Sequence, residues 1–403
     1  MRFAIPAAFA AMRSGLMAEC RAARGQEFPR RGSEEVAAVK IDADFPGGNI
    51  VVERIDGDAV LLHQDLRDTA GDWFYWCFRV RGAEGRTLDF RFTRSAALGV
   101  RGPACSLDGG LTWTWLGAAA VKDKGFACTF AGDANEVRFS FGMPYQEDAL
   151  KRFLDAHRDP SHLRVEELCR SRKGRGVELL RLGCLDGEPK FRALFTGRHH
   201  CCEMMASYVL EGIMAEVLAD SEAGRWLRAS VEFMVVPFVD KDGVEDGDQG
   251  KNRKPHDHNR DYHGDSRYPE VAALKKRVPE WVAGKPCFGF DLHCPWIRGR
   301  EHEAIMSPSR ARDPENWARL KPFLEILEKT RTGPLRFPLE VSEQFVSWDG
   351  KQPDPEEPAR TASRWMLTVP GMQWAITFEI PYANASGQEV NQETARAWGR
   401  DFA

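Results

Sequence analysis

Residues 191–218, FRALFTGRHHCCEMMASYVLEGIMAEVL, set the fold class of this 403-residue chain. The stretch begins with an apolar run at 191–195 that is typical of a buried strand, and its longer apolar pattern predicts a helix over 203–218. A strand that leads into a helix is the repeating unit of parallel and mixed sheets. The sequence therefore predicts an α/β domain around this stretch.

The alternation of strands and helices continues on both sides. Further strands are predicted at 177–182, 230–238, 288–292 and 375–380, and further helices at 147–157, 269–282 and 314–330. The polar loop at 240–267 is longer than an ordinary connection, which makes it a candidate functional loop. Residues 146–403 are therefore expected to form one α/β domain with a mixed central sheet.

Residues 41–145 have a different pattern, with short runs in which apolar and polar residues alternate. These runs lie at 50–55, 59–63, 73–80, 87–93, 111–116, 126–130 and 136–141, and turn signals such as Asp56-Gly57 separate them. The pattern predicts an N-terminal antiparallel β-sandwich domain. Residues 1–40 lack periodicity, which predicts a poorly ordered leader.

Composition excludes several classes of function. The chain has 56 Lys and Arg against 60 Asp and Glu, so it has no overall positive field for nucleic acid. No apolar run approaches the roughly 18 residues of a membrane helix, so we expect no membrane partner.

The ten cysteines show no repeated C-x-x-C spacing, which favours a reducing compartment and predicts a cytoplasmic location. The apolar run at 3–12 is similar to a weak signal peptide, so export is the alternative. A start at Met12 or Met17 instead of Met1 is a second alternative for this end of the sequence.

Two separated pieces of sequence carry side chains suited to zinc. His200 and Glu203 stand three residues apart where the strand at 191–195 gives way to the helix, and His293 follows the apolar strand at 288–292. Two histidines and one glutamate leave the fourth tetrahedral position open, as catalytic zinc requires.

Cys201 and Cys202 offer a rival ligand set, because thiolates bind zinc better than carboxylates do. Structural thiolate sites use paired C-x-x-C ligands, and the sequence has no second pair. We interpret both cysteines as packing residues, with a redox-sensitive neighbour of the metal as the alternative for one of them.

The loop that starts at Asp240 is similar to an EF-hand, but calcium is excluded there. Lys251 stands where the bidentate Glu is required, and Glu245 stands where the turn glycine is required. Arg253, Asn259 and Arg260 instead supply two guanidinium groups and an amide, which are suited to binding a carboxylate and polarising a carbonyl. A solvated charged loop is the alternative.

The strand predicted at 375–380 ends close to one carboxylate, Glu379. Ligands of open α/β sheets bind beyond the carboxyl ends of the strands, so Glu379 is a candidate general base. The alternative is a strand-end carboxylate that faces solvent.

Taken in order, these pieces resemble the signature of the zinc metallocarboxypeptidases. The pieces are His200-x-x-Glu203, Asp242-Gly243-Val244 with Asn252-Arg253, Asp257-His258-Asn259-Arg260, Asp291-Leu292-His293 and Thr377-Phe378-Glu379. The earlier residues resemble the β-domain of the cytosolic carboxypeptidase subfamily at Phe45-Pro-Gly-Gly-Asn49, Gln64-Asp65, Asp72-Trp73-Phe74-Tyr75 and Gly142-Met143-Pro144-Tyr145. The resemblance covers residues 41–385.

The resemblance implies an α/β/α peptidase domain that hydrolyses the C-terminal peptide bond of peptides or proteins, with one Zn²⁺ per chain. It implies removal of acidic residues, glutamate above all, as one substrate class, and it leaves the oligomeric state open. The implied roles are zinc ligands for His200, Glu203 and His293, carbonyl polarisation for Arg253, carboxylate binding for Asn259 and Arg260, and general base for Glu379.

Three features depart from the family pattern. Cys201-Cys202 replaces the usual Pro-Gly, the spacing from Arg253 to Asn259 is short, and Cys294-Pro295-Trp296 replaces small and polar residues. An aspartoacylase-like zinc amidohydrolase acting on N-acyl amino acids is the alternative enzyme. A catalytically inactive peptide-binding module is the alternative outside enzymes.

Overall fold

The computed structural model describes residues 20–21, 38–348 and 360–403, and most of the predicted leader lies outside the described residues. The chain divides into two compact units. The first comprises the chain up to Asp65 together with Phe74–Gly142, and the second comprises Leu66–Trp73 together with Met143–Ala403. No helix of the described ranges combines the length and apolar character needed to cross a membrane.

Two sheets make up the first unit. Its strands are β1 Cys20–Arg21, β2 Lys40–Asp42, β3 Val51–Asp56, β4 Ala59–His63, β5 Cys77–Arg81, β6 Thr87–Phe92, β7 Ala104–Ser106, β8 Thr114–Trp115, β9 Val121–Lys122, β10 Gly125–Phe130 and β11 Val137–Ser140. One sheet has the order β1-β10-β6-β4-β3, with β9 beside β10, and the other has the order β2-β5-β11-β7-β8. Pairing is antiparallel except between β4 and β6, which are parallel.

Alternation along the strands places aromatic side chains between the two sheets. Phe90 on β6 contacts Phe78 on β5 with ring centroids 5.5 Å apart, and Phe126 on β10 contacts Phe139 on β11 at 5.2 Å. All four rings are fully buried. The sheets therefore pack face to face, which is the sandwich that the alternating pattern predicts.

The second unit is built around a six-stranded mixed sheet of order β12-β13-β15-β14-β16-β17. Its strands are β12 Leu163–Arg170, β13 Gly176–Gly183, β14 Phe191–Gly197, β15 Val231–Val236, β16 Cys287–His293 and β17 Met372–Glu379, and a small hairpin adds β18 Asn384–Ala385 and β19 Gln388–Glu389. Its helices are α1 Glu147–Ala156, α2 Met205–Leu218, α3 Glu222–Ser230, α4 Lys241–Asp246, α5 Pro269–Val282, α6 Ser309–Arg312, α7 Pro314–Thr330, α8 Leu339–Gln344, α9 Ala362–Met366 and α10 Gln392–Phe402.

Helices cover both faces of this sheet because successive strand residues point in opposite directions. Leu194 on β14 belongs to a buried cluster with Leu274 and Val278 of α5. On the opposite face, Phe290 on β16 packs against Phe402 of α10 with centroids 5.0 Å apart. The result is the predicted α/β/α architecture.

The topology brings three strand ends together. β14 pairs in parallel with β15 on one side and with β16 on the other, and β16 pairs in parallel with β17. The connections from β14 thus diverge to opposite sides, which opens a crevice at the carboxyl ends. His293 and Glu379 are the last residues of β16 and β17, so they lie at this crevice.

Candidate metal centre and active site

His200, Glu203 and His293 form one cluster at the strand ends. His200 Nδ1 lies 3.0 Å from Glu203 Oε1, and His293 Nδ1 lies 2.7 Å from Glu203 Oε2. The potential ligand atoms of the three side chains all lie within 4.8 Å of one another. The three residues predicted from the sequence as metal ligands therefore converge on one point.

The Nε2 atom of each histidine, its outer nitrogen, contacts a further carboxylate. His200 Nε2 lies 3.2 Å from both oxygens of Asp257, and His293 Nε2 lies 2.8 Å from Asp291 Oδ2. A carboxylate that accepts a hydrogen bond from one ring nitrogen orients the other toward a metal. The arrangement directs both Nδ1 atoms toward Glu203.

The charges of the cluster depend on one another. Burial lowers the pKa of His200, but Asp257 and Glu203 outweigh burial and raise that pKa above its usual value. Burial alone would raise the pKa of Glu203. The positive charges of Lys251, His200 and His293 outweigh the effect of burial, so the pKa of Glu203 lies well below its usual range. Glu203 is therefore an anion surrounded by donors that a metal ion can replace.

His199, Asp291 and His293 form a second group with metal-ligand spacing. His199 Nδ1 lies 2.9 Å from Asp291 Oδ1, and His199 Nε2 lies 2.7 Å from the Tyr262 hydroxyl. Both His199 and Asp291 are completely buried, whereas His200 is 9% exposed. A catalytic metal needs an open position for substrate, which favours the cluster that contains His200.

The His200 cluster fits zinc. Two imidazole nitrogens and a carboxylate are the donor set of many catalytic zinc sites, and each histidine already has a carboxylate at its outer nitrogen. The three side chains therefore have the chemistry to hold a zinc ion.

Glu379 lies beside this cluster. It stands opposite His293 in the register of β17 and β16 and is 8% exposed. Burial raises the pKa of Glu379, and the charges of His293 and Lys251 oppose that rise. The strand thus places a buried carboxylate next to the candidate metal ligands.

Arg253, the residue predicted to polarise the substrate carbonyl, lies among acidic side chains. Its guanidinium binds Asp240, lies 2.8 Å from Asp248 Oδ2 and lies 3.7 Å from Asp68 Oδ2. Asp240 and Asp248 are buried, so the guanidinium of Arg253 is the counter-charge of these carboxylates.

The predicted carboxylate-binding pair is split. Asn259 is buried, with Nδ2 at 3.1 Å from His293 Nε2 and Oδ1 accepting a hydrogen bond from the backbone N–H of Ala362. Arg260 is exposed, and its Nη1 donates a hydrogen bond to the carbonyl of Asn259. Of the two, Arg260 is the one that faces solvent.

Lys251 is the residue of this site that the sequence reasoning misses. Its ammonium lies 2.7 Å from Glu203 Oε1 and donates to the carbonyl of Cys294 at 2.8 Å. In the sequence, Lys251 is notable only because it stands where an EF-hand would require the bidentate Glu. The flanking Gly250 and Asn252, both with positive φ, are the local signal that the loop turns sharply at this point.

The two cysteines between the first ligands are packing residues, as predicted. Both side chains are buried, and the Cys201 thiol donates to the carbonyl of Asp248 at 3.0 Å. Burial raises the pKa of the Cys202 thiol to about 12, so it is protonated at neutral pH.

Comparison with known proteins shows similarity to one peptidase family. Residues 150–330 match the family model Peptidase_M14, zinc carboxypeptidase. The matched range includes His200, Glu203 and His293 and ends before Glu379. The chain is also 29% identical over 170 residues to cytosolic carboxypeptidase 2 of Xenopus tropicalis, covering 39% of this chain and 16% of that protein. Across the curated relatives it matches, the chain covers between 12% and 54% of their length.

Solved structures share the fold over most of the chain. A metallo-carboxypeptidase from Burkholderia cenocepacia superposes with a TM-score of 0.71 at 21% identity, covering 90% of this chain and 96% of that one. A putative carboxypeptidase from Burkholderia mallei superposes with a TM-score of 0.73 at 20% identity, covering 91% and 95%. The chain is thus similar to the zinc carboxypeptidases over residues 150–330 and shares the fold of the metallo-carboxypeptidase structures over most of its length.

Proposed function

We propose that this chain is a zinc metallocarboxypeptidase that removes the C-terminal residue of peptides or proteins. The observation that carries the proposal is the convergence of His200, Glu203 and His293 at the carboxyl ends of β14 and β16, with Glu379 at the end of β17. The proposal includes a cytoplasmic location, which the names of the curated relatives support.

His200, Glu203 and His293 would hold the zinc ion, which as a Lewis acid lowers the pKa of water toward 7. Glu379 accepts a proton from the attacking water while the water oxygen bonds to the scissile carbonyl carbon. The carbon–nitrogen bond then breaks, and Glu379 returns the proton to the leaving amine. Burial raises the pKa of Glu379, which suits both steps.

The free carboxylate of the substrate needs a cation near the crevice. Arg260 is exposed and adjoins Asn259, which contacts His293. A guanidinium binds a carboxylate with two parallel hydrogen bonds, so Arg260 is the proposed anchor of the C-terminus.

The proposed substrates end in an acidic residue. The support for this preference is the resemblance to the cytosolic carboxypeptidase subfamily, which implies the removal of glutamate.

A peptide panel tests the proposal. The zinc-loaded protein is incubated with free-acid and amidated peptides that end in Glu, Leu or Lys and with N-acyl amino acids, and the products are identified by mass spectrometry. We expect loss of single residues from free-acid peptides only, fastest for Glu.

The Glu379→Gln variant is the matched control for chemistry, since it keeps the size of the side chain. We expect it to bind zinc and to lose activity by several orders of magnitude, because the base is gone. Cleavage of N-acyl amino acids alone by the wild type would replace the peptidase with a deacylase, and equal cleavage of amidated peptides would contradict an exopeptidase.

A further inference from the structure

The ammonium of Lys251 is in direct contact with the proposed ligand Glu203. Its side chain is 11% exposed, and its ammonium contacts Glu203 Oε1 at 2.7 Å and the carbonyl of Cys294 at 2.8 Å. The ring of Trp73 lies 5.3 Å from Nζ, within the range of a cation–π contact. An ammonium has three donors, so these two hydrogen bonds leave one for a substrate atom.

The loop around Lys251 is held on several sides. The carboxylate of Asp68 accepts hydrogen bonds from the backbone N–H groups of Gln249 and Gly250, each at 2.9 Å. The Thr69 hydroxyl donates to the carbonyl of Lys251 itself. These bonds fix both sides of the turn, so the ammonium is positioned before any substrate arrives.

Arg253 cannot take the same place without breaking its own ion pairs. Its guanidinium is the counter-charge of the buried carboxylates of Asp240 and Asp248. Removing one partner from a buried charge pair leaves an uncompensated charge, which is strongly destabilising. Lys251 instead faces Glu203 at 2.7 Å, and the charge of Glu379 also acts on it.

We propose that Lys251, and not Arg253, donates the hydrogen bond that polarises the scissile carbonyl and holds its oxygen as negative charge develops. This role rests on the proposed peptidase function. A fixed cation in a water-poor site stabilises an oxyanion strongly, and removing one oxyanion donor typically lowers kcat by about 10²–10³-fold.

The test compares kcat, KM and zinc content in four proteins: the wild type, Lys251→Met, Lys251→Arg and Lys254→Met. Lys254 is exposed on the same loop, so Lys254→Met removes the same charge without touching Glu203. We expect Lys251→Met to keep one zinc per chain and a KM near that of the wild type while kcat falls about 10²–10³-fold. Lys251→Arg restores part of kcat because it restores a donor, and Lys254→Met leaves all three quantities unchanged.

Each other outcome overturns the assignment. A kcat in Lys251→Met and Lys251→Arg within about twofold of the wild type means that the carbonyl is polarised elsewhere. Loss of zinc in parallel with activity means that Lys251 only positions Glu203. A wild type that binds zinc and cleaves no free-acid peptide overturns the proposed function itself, which separates that failure from the failure of the Lys251 variants alone.

Discussion

His199 and His200 are adjacent in sequence but lie in different environments. His199 is fully enclosed between Asp291 and the Tyr262 hydroxyl, whereas His200 reaches the crevice beside Glu203. The H-x-x-E spacing selects His200 as the ligand, and the structure brings it to Glu203 and His293. The sequence offers no means of seeing that His199 also has metal-ligand neighbours, because Asp291 and Tyr262 are distant along the chain.

Glu270 is predicted to make the free energy of unfolding depend on pH. This carboxyl lies in the first turn of α5, is 2% exposed, and its Oε2 accepts no hydrogen bond from the described residues. Burial raises the pKa of Glu270 to about 7. Since the folded-state pKa exceeds the unfolded value, stability is highest at low pH and is lost as pH rises from about 4.5 to 7.

The Glu270→Gln variant should remove that loss. We expect its free energy of unfolding at pH 8 to exceed that of the wild type by up to about 3 kcal/mol, with a small difference at pH 4.5. Denaturant unfolding at both pH values measures this, and Glu280→Gln, exposed on the same helix, is the control. An equal effect of Glu270→Gln at both pH values contradicts the assignment.

The turn that carries Lys251 depends on Gly250. Its φ is +77°, and an added Cβ would lie 2.5 Å from the backbone nitrogen of Cys201 and 3.0 Å from Cα of His200. Gly264 has a similar φ of +66° with no atom within 4 Å of such a Cβ, so it reports the backbone cost alone.

We expect Gly264→Ala to cost about 1 kcal/mol of unfolding free energy and Gly250→Ala about 1–3 kcal/mol more. Gly250→Ala should also weaken zinc binding, because the new methyl group displaces the backbone of His200. Thermal unfolding and zinc titration measure the two effects. Equal destabilisation by the two substitutions would show that the turn tolerates a side chain.

The helices and strands that the sequence predicts are those with a strong apolar pattern. α5 and α7 begin and end at the predicted residues, and the predicted strand at 59–63 coincides with β4. The strand β12 has no such pattern because it lies at the sheet edge and buries only Leu163 of its eight residues. The helix α10 buries only Ala395, Trp398, Gly399 and Phe402 of its eleven residues, so its apolar signal is weak.

At the scale of the whole chain, a segment distant in sequence contributes to the loop that carries Lys251. The predicted β-sandwich spans 41–145, but Leu66–Trp73 within it group with the second unit. Asp68 from this segment binds backbone groups at Gln249 and Gly250, more than 180 residues away. The order of the motifs predicts the proposed ligands, whereas a contact over this separation cannot be predicted from local sequence patterns.

Crystals of the zinc-loaded protein, measured at the zinc absorption edge, locate the metal without reference to activity. We expect one anomalous peak, about 2.0–2.2 Å from His200 Nδ1, His293 Nδ1 and the Glu203 carboxylate. A peak between His199, Asp291 and His293 Nε2, or one outside both groups, would contradict the assigned centre and the catalytic arrangement built on it.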